Sequence, residues 1–345
     1  MRTYDFDLPE TQIAREPVHP RDASRLLVLD RATGSVHLAR MTQLPQFLRP
    51  GDLLVANQTR VLRARLRTAL ARTGREIEVL LAHPDGDGWV AMLGPSRRLR
   101  PDDLLLLQDA GEDASPCGFR LLESRGAGMW LLRPEGAIAA EMMARAGHLP
   151  LPPYLRRGDQ AEDEEWYQTI FARSEGAIAA PTAGLHFSPE LLDALRDGGM
   201  EIDTVTLHVG PGTFLPVRAE SIDAHRVLPE RFEVSAPTRE RMRACRAAGG
   251  RVIAIGTTVT RALETAAGLS LGPDQAAVGW TDLTVTPGYR FTAIDGLVTN
   301  FHLPRSSLLL LVAAFAGRER VLSAYTAAIA AGFRFYSYGD AMLTV

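Results

Sequence analysis

The sequence predicts a mixed α+β protein in which an all-β domain is inserted into a core of alternating strands and helices. The chain has 345 residues, which favours two domains because a typical domain contains roughly 100–200 residues. Between residue 61 and about residue 135, short apolar runs recur at roughly ten-residue spacing between turns, as in a small barrel or sandwich. After about residue 150, strand and helix patterns alternate. We therefore predict a discontinuous core domain of residues 1–60 and 150–345 and an inserted domain of residues 61–149.

The first strands follow from short apolar runs beside turns. Residues 25–30 (RLLVLD) precede a turn at Gly34, and residues 53–57 follow a turn at Gly51. Within the inserted domain, the same reasoning predicts strands at 61–66, 77–81, 89–93, 104–107, 119–122 and 129–132.

The helices of the second half are predicted from their end signals. Ser188 and Pro189 suit the N-cap and first helical position, and Gly198 suits the end of the same helix. Similar signals predict helices at 237–248, 257–267 and 318–331 and a buried strand at 251–256. Residues 308–316 predict a buried strand or helix, and the aromatic tail 333–340 predicts a strand.

Composition excludes several classes of protein. Hydrophobic residues make up 46% and charged residues 23%, with a net charge of −3, as in ordinary globular proteins. All 38 cationic residues are Arg, which rules out a Schiff-base lysine or a phosphate-binding P-loop lysine. Cys117 and Cys245 lie far apart without a C-x-x-C spacing, so we expect no structural zinc. The N-terminus does not read as a signal peptide and residues 308–316 are too short to cross a membrane, so we expect a cytoplasmic protein without a membrane partner.

Four segments combine His, Thr or Gly with apolar residues at strand ends. They are residues 180–187 (APTAGLHF), 206–214 (TLHVGPGTF), 255–258 (IGTT) and 299–306 (TNFHLPRS). Glycine permits close approach of a ligand to the backbone, and histidine exchanges protons near neutral pH. A single His in such a segment more often has a structural role, and Gly256-Thr257-Thr258 also fits ordinary helix capping. The absence of H-x-H and H-x-x-x-H pairs argues against a metal.

Arginine is concentrated in the inserted domain. Residues 60–75 contain six Arg and no acidic residue. If residues 61–66 form a strand, Arg63, Arg65 and Arg67 share one face, and residues 97–100 add a second cluster. Such a row suits the phosphates of a nucleic acid, although charge also protects edge strands from aggregation.

Sequence motifs along nearly the whole chain resemble one enzyme family, the S-adenosylmethionine:tRNA ribosyltransferase-isomerases of queuosine biosynthesis. The similar motifs are residues 5–9 (DFDLP), 24–27 (SRLL), 51–55 (GDLLV), 150–154 (PLPPY), 167–169 (YQT), 180–187, 206–210 (TLHVG), 256–258 (GTT), 299–304 (TNFHLP) and 338–343 (YGDAML). Two positions depart from the family pattern. Gln58 stands where a second Asn is usual, and Leu228 stands where a second His is usual.

The resemblance implies an α/β barrel-type core with an inserted β-barrel. It also implies transfer and isomerisation of the ribosyl part of S-adenosylmethionine onto 7-aminomethyl-7-deazaguanine at the wobble position of a tRNA with a GUN-type anticodon. Adenine and methionine would leave, and the product would be epoxyqueuosine in tRNA. S-adenosylmethionine is then a co-substrate, and neither a bound cofactor nor a metal is implied.

This chemistry needs a base near the ribose carbon beside the sulfonium and a proton donor for the leaving adenine. With no lysine present, the predicted catalytic residues are His186, His208, His302 and Asp340, and we place His186 in the S-adenosylmethionine pocket as a proton-transfer group. The predicted substrate-binding residues are Thr182, Gly184, Gly210, Thr257, Thr258, Asn300, Arg305 and Tyr338. The predicted RNA-binding residues are Arg63, Arg65 and Arg67.

Two alternative functions remain from the sequence. An S-adenosylmethionine-dependent RNA methyltransferase is disfavoured because Gly256-Thr257-Thr258 lacks the usual glycine-rich turn followed by an acidic residue. A non-catalytic tRNA-binding module leaves the three histidine-containing strand ends unexplained.

Overall fold

A large mixed sheet and a separate closed barrel make up the fold. The computed structural model describes residues 2–109, 115–214, 222 and 224–345. Within those residues, nine strands form one sheet in the order β15-β13-β12-β3-β14-β16-β17-β1-β2. These strands are β1 (Arg25–Leu29), β2 (Val36–Arg40), β3 (Leu53–Asn57), β12 (Glu201–Leu207), β13 (Glu230–Val234), β14 (Val252–Ile255), β15 (Ala277–Thr281), β16 (Gly296–Asn300) and β17 (Ala341–Thr344).

The centre of this sheet is parallel. β12, β3, β14 and β16 are hydrogen-bonded in that order and run in the same direction. β17 is antiparallel to β16 and parallel to β1, so β17 and β1 begin at the edge where the four parallel strands end. In the described part of the chain this sheet has two edge strands, β15 and β2, so the barrel-type core implied by the resemblance takes the form of an open sheet.

Helices cover both faces of the sheet. They are α3 (Pro189–Asp197), α4 (Ala236–Ala247), α5 (Thr257–Ala267), α6 (Ser307–Ala316) and α7 (Arg318–Ala330). A short helix, α2 (Asp163–Trp166), precedes them in the chain. In β3, Leu53 and Val55 pack with the cluster that contains α5, α6 and α7, whereas Leu54 and Ala56 pack with α3. Because successive strand residues point to opposite faces, a strand covered on both sides is apolar throughout.

The inserted domain is a closed antiparallel barrel in the order β10-β7-β6-β5-β8-β9, as the sequence predicts. Its strands are β5 (Arg65–Leu70), β6 (Glu76–Asp85), β7 (Gly88–Gly94), β8 (Leu104–Leu107), β9 (Gly118–Gly126) and β10 (Met129–Glu135). Helix α1 (Ala139–Ala146) contributes Met142 and Met143 to the barrel's own apolar core. The mixed α+β class with an inserted β-barrel is confirmed, while the boundaries at residues 61 and 149 stay a prediction.

The predicted strand at residues 61–66 is wrong because the chain changes partners within it. β4 (Thr59–Val61) pairs with β11 (Ser174–Ala177) in a two-stranded sheet. β5 begins only at Arg65, which exchanges backbone hydrogen bonds with His148. Arg63 therefore lies between two strands, and only Arg65 and Arg67 share a face of β5.

The aromatic tail also differs from its prediction. Residues 333–340 lie outside the named strands, and the strand follows at Ala341–Thr344. Phe333 and Phe335 are fully buried against the ring of Phe301. Their apolar surface thus fills the core instead of forming an alternating strand face.

Candidate functional site

The predicted site residues gather at the carboxyl ends of the parallel strands. Asn57 ends β3, Leu207 ends β12, Gly256 follows β14 and Asn300 ends β16. In open sheets of this kind, ligands bind in the crevice beyond the carboxyl ends of the strands. His208 directly follows the end of β12, while Thr258 and His302 lie within three residues of the ends of β14 and β16. The sheet itself therefore brings the predicted segments together.

A buried asparagine that the sequence analysis did not select organises this edge. Asn57 Oδ1 accepts hydrogen bonds from the backbone N–H groups of Thr59 and Leu207, both at 3.1 Å. Its Nδ2 donates to the Leu207 carbonyl at 2.8 Å and approaches Thr258 Oγ1 at 3.5 Å. Asn57 therefore fixes the ends of β3 and β12 against the start of α5. The sequence contains a signal for this role, because Asn57 is a polar residue at the end of an apolar strand.

His208 is held at one nitrogen and is only partly buried. Its Nδ1 lies 2.9 Å from Thr59 Oγ1, and the same hydroxyl lies 3.4 Å from the Ser174 carbonyl. If the hydroxyl donates to Ser174, Nδ1–H donates to Thr59 and the lone pair of Nε2 is free. Among the residues that the structure describes, Nε2 has no hydrogen-bond partner. Burial, with a further contribution from Arg231, lowers the pKa of His208, so the ring is neutral at pH 7.

A glycine opposite His208 makes room for its ring. A Cβ atom placed on Gly176 would lie 2.7 Å from both Nδ1 and Cε1 of His208. Gly176 also has a φ of 142°, which side chains rarely adopt. Glycine is thus required at this position both by its backbone and by the imidazole.

His186 lies in a closed network around Asn300. Asn300 Nδ2 lies 3.0 Å from the Tyr336 carbonyl and 3.2 Å from that of Ser337, which identifies this atom as the amide nitrogen. It also donates to His186 Nε2 at 3.0 Å, so His186 Nδ1 carries the proton and donates to Ser24 Oγ at 3.0 Å. Asn300 Oδ1 accepts from Thr182 Oγ1 at 3.0 Å.

Both nitrogens of His186 are therefore occupied, and burial together with Arg334 and Arg21 lowers its pKa to about 3. These contacts favour a positioning role for His186 over the predicted proton transfer, which stays untested.

His302 and Asp340 have local partners as well. His302 Nε2 lies 2.9 Å from Thr299 Oγ1, and burial lowers its pKa to about 3. The Asp340 carboxylate accepts the backbone N–H of Arg25 at 3.0 Å and that of Arg334 at 2.7 Å. Asp340 thus joins the start of β1 to the tail before β17, which favours a structural role.

The glycines and threonines of the prediction lie around the same edge. Gly256 has a φ of 104° and is the N-cap of α5. A Cβ there would lie 3.4 Å from that of Ala183, next to Gly184. Thr257 is buried in the first turn of α5. The Gly210 N–H donates to Glu230 Oε1 at 2.9 Å, and Glu230 pairs with the buried Arg261.

Comparison with known proteins covers the whole chain. A sequence model of a family described as "Queuosine biosynthesis protein" matches residues 1–344. The chain belongs to this family. A relative from Moorella thermoacetica, named S-adenosylmethionine:tRNA ribosyltransferase-isomerase, is 48% identical over 347 residues, which cover 99% of this chain and 98% of the relative. A relative of the same name from Anaeromyxobacter sp. (strain Fw109-5) is 50% identical over 346 residues, covering 99% and 97%.

A solved structure is similar too. The crystal structure described as S-adenosylmethionine tRNA ribosyltransferase from Thermotoga maritima has a TM-score of 0.57 and 32% identity, covering 99% of this chain and 100% of that chain. The queuosine biosynthesis family thus accounts for both domains of the chain.

The two departures from the family pattern have different surroundings. Gln58 Oε1 accepts a hydrogen bond from Thr204 Oγ1 at 3.0 Å, and its Nε2 donates to Thr206 Oγ1 at 3.1 Å. Both polar atoms of the Gln58 amide are thus hydrogen-bonded to residues of β12. Leu228 is exposed and packs beside Gly212. In the described part of the chain, Gln58 makes no side-chain hydrogen bond to His208 or Asn300.

Two predicted binding residues have partners away from these networks. The exposed Arg305 pairs with Asp5, and its N–H donates to the Tyr4 carbonyl. The buried Tyr338 donates its hydroxyl hydrogen to Asp163 at 3.3 Å, and Asp163 also pairs with Arg157. Burial and the Asp163 charge raise the pKa of Tyr338. Among the described residues, neither the Arg305 nor the Tyr338 side chain is hydrogen-bonded to His208 or His186.

The described residues contain no group of three or more His, Cys, Asp or Glu that could hold a metal ion.

Two surface cavities, of about 440 and 180 Å³, lie away from the His208 and His186 networks. One is lined by Arg31, Phe315 and Arg320, and the other by Arg239 and Leu263 with their neighbours. Across the described ranges, no helix combines the length and the apolarity that a membrane span requires.

Proposed function

We propose that this protein is an S-adenosylmethionine:tRNA ribosyltransferase-isomerase that acts in queuosine biosynthesis. It transfers the ribosyl part of S-adenosylmethionine to the aminomethyl group of 7-aminomethyl-7-deazaguanine in tRNA and rearranges it to the epoxycyclopentane of epoxyqueuosine. End-to-end similarity to relatives with this name carries the proposal. The proposed tRNA substrate has a GUN-type anticodon. Because tRNA is the substrate, the protein is expected to act in the cytoplasm.

Within the predicted catalytic set, His208 suits proton transfer at the ribose carbon beside the sulfonium. Its ring is neutral at pH 7, its Nδ1 is oriented by Thr59, and Nε2 is left for the substrate. Asn57 and Thr258 lie beside it at the strand ends, where Thr258 can hold the ribose or methionine part. His186, Thr182 and Asn300 form a second hydrogen-bonded network, at the end of β16.

The reaction itself is the first expected result. Incubation with S-adenosylmethionine and tRNA that carries the aminomethyl-deazaguanine should release adenine and methionine in equal amounts, because the ribosyl group between them is transferred. Chromatography of the small molecules and mass spectrometry of the tRNA nucleosides would measure both products.

Unmodified tRNA is the control and should yield neither product. Formation of S-adenosylhomocysteine without adenine would identify a methyltransferase instead. Binding of tRNA without any turnover of S-adenosylmethionine would identify a binding module.

We also propose that Arg63, Arg65 and Arg67 contact tRNA phosphates; we call these three residues the arginine row, although Arg63 precedes β5. Arg63 lies 3.5 Å from Glu164, Arg65 3.7 Å from Glu78, and Arg67 3.9 Å from Asp109. Exposed pairs of this length are weak, so a phosphate can replace the carboxylates beside the exposed Arg63 and Arg67. Arg65 is less exposed and also donates to the Leu151 carbonyl at 2.9 Å, so we expect it to contribute less.

Changing Arg63, Arg65 and Arg67 together to Gln should weaken tRNA binding and flatten its dependence on salt by up to about one unit of slope per lost contact. Filter binding between low and moderate salt would measure the slope. Unchanged affinity and slope would assign the row to protection of the barrel instead.

A further inference from the structure

A second group of arginines lies at one end of the barrel and has no role in the site described above. We call it the barrel tip; its members are Arg72, Arg75, Arg97, Arg98 and Arg100. They come from the turn between β5 and β6 and from the loop between β7 and β8. From the structure we propose that the barrel tip binds the phosphate backbone of the tRNA, away from the base that is modified. This inference rests on the proposed function for the identity of the polyanion.

The loop between β7 and β8 is held in place by the neighbouring turn. Arg72 Nη2 donates to the Arg98 carbonyl at 2.9 Å, and Arg75 Nη2 donates to the Arg97 carbonyl at 2.9 Å. Arg72 also pairs with Asp103 at 2.7 Å, and Asp103 accepts the Arg100 N–H at 2.9 Å. These bonds use the loop's backbone, so the loop keeps its shape while the side chains of Arg97, Arg98 and Arg100 stay exposed.

The three exposed guanidinium groups differ from the arginine row in their charge balance. Each residue of the row has a carboxylate within 4 Å. For Arg97, Arg98 and Arg100, the described part of the chain provides no ion-pair partner. The nearest acidic residues in sequence are Asp102, which is exposed, and Asp103, which is already paired with Arg72. The tip therefore presents three guanidinium groups that make no ion pair with the described residues.

This chemistry fits phosphate groups. A planar guanidinium donates two parallel hydrogen bonds to a phosphate, and several of them in one loop suit a chain of phosphates. Contacts of this kind position a nucleic acid without reading its sequence. Since the tip is formed by arginine side chains, we expect affinity with little sequence preference.

The position of the tip indicates which part of the tRNA it contacts. β5 begins at Arg65, where the barrel joins the core through His148, and it ends at Leu70 just before the tip. Six strand residues span roughly 20 Å at about 3.3 Å per residue. The tip thus lies at the end of the barrel away from this junction, where it can bind backbone distant from the wobble base held by the core.

The test replaces Arg97, Arg98 and Arg100 with Gln in the full chain. The hydrogen bonds from Arg72 and Arg75 are made to backbone carbonyls and remain, so the loop should keep its conformation. The matched control is R196Q/R243Q/R318Q, which removes three exposed arginines that pair with acidic residues in their own helices. Both variants lose the same charge.

For the tip variant we expect at least about tenfold weaker tRNA binding, since one hydrogen bond to a charged group is worth that factor. The salt slope should fall by up to about three units, while the control keeps the wild-type slope. If wild-type protein turns over tRNA and the tip variant matches the control in both measurements, the inference is wrong. If wild-type protein releases no adenine, the proposed function fails, and the binding comparison still tests the tip.

Discussion

Replacing His208 with Gln is expected to slow turnover at least about a hundredfold, because a positioned proton-transfer group contributes about 10²–10⁴ to a rate. Glutamine can keep a hydrogen bond to Thr59 but cannot take up a proton at neutral pH. Single-turnover release of adenine at saturating S-adenosylmethionine would measure the loss. Thermal unfolding should change little, since the ring is only partly buried.

The matched comparison is H186Q. Both His186 nitrogens are bonded, to Asn300 and to Ser24. If glutamine keeps one of these two bonds, the substitution should cost only about 2- to 13-fold, the equivalent of one neutral hydrogen bond at 0.5–1.5 kcal/mol. A hundredfold loss in H186Q with near-normal turnover in H208Q would reverse the two roles.

Two further variants separate proton transfer from mere packing. G176A should impair turnover as H208Q does, because its methyl group would displace the imidazole.

R231Q should raise the pKa of His208, since the Arg231 charge contributes to lowering it. The acid limb of the rate profile should therefore move to higher pH in R231Q. An unchanged acid limb would show that His208 is not the titrating group.

The folded protein is expected to lose about 4 kcal/mol of stability between neutral pH and pH 5 from two buried histidines alone. Burial lowers the pKa of both His186 and His302 to about 3, whereas an unfolded histidine titrates near 6.5. Below pH 6.5 the unfolded state binds a proton at each ring and the folded state does not until about pH 3. Each ring therefore costs about 1.4 kcal/mol of stability per pH unit within that window.

Urea unfolding at pH 7.5, 6 and 5 would measure this loss. In H302Q the loss between pH 7.5 and 5 should be smaller by about 2 kcal/mol, because one of the two titrating rings is removed. Stability that stays constant from pH 7.5 to 5 in the wild-type protein would contradict the neutral, buried state of both rings.

The sequence alone predicted most elements of the fold. α3 begins and ends where Ser188, Pro189 and Gly198 indicate, and the Ser188 hydroxyl accepts the Leu191 N–H as an N-cap. α5 and β8 also have their predicted bounds. Capping residues, turns and the period of apolar residues are local signals, so they are readable without the rest of the chain.

Elements whose form depends on distant partners were predicted less well. The segment 61–66 has the alternation of one strand, yet Val61 bonds to the side chain of Gln168 while Arg65 bonds to His148. Residues 333–340 look like a strand, but their aromatic rings fill the core. The local sequence pattern does not specify which residue a backbone group will hydrogen-bond to in the folded chain.

For the proposed site, the sequence by itself selected the segments: the motifs around His186, His208, Gly256 and Asn300 all lie at one edge of the sheet. Only the tertiary structure decided how the histidines differ. His186, His302 and His208 all lie in apolar segments with Thr, Gly or Pro nearby, but packing buries the first two and leaves His208 Nε2 unpaired among the described residues. A pKa depends on burial and on charges within a few ångströms, and those neighbours come from residues such as Ser24, Thr59 and Arg334, far away along the chain.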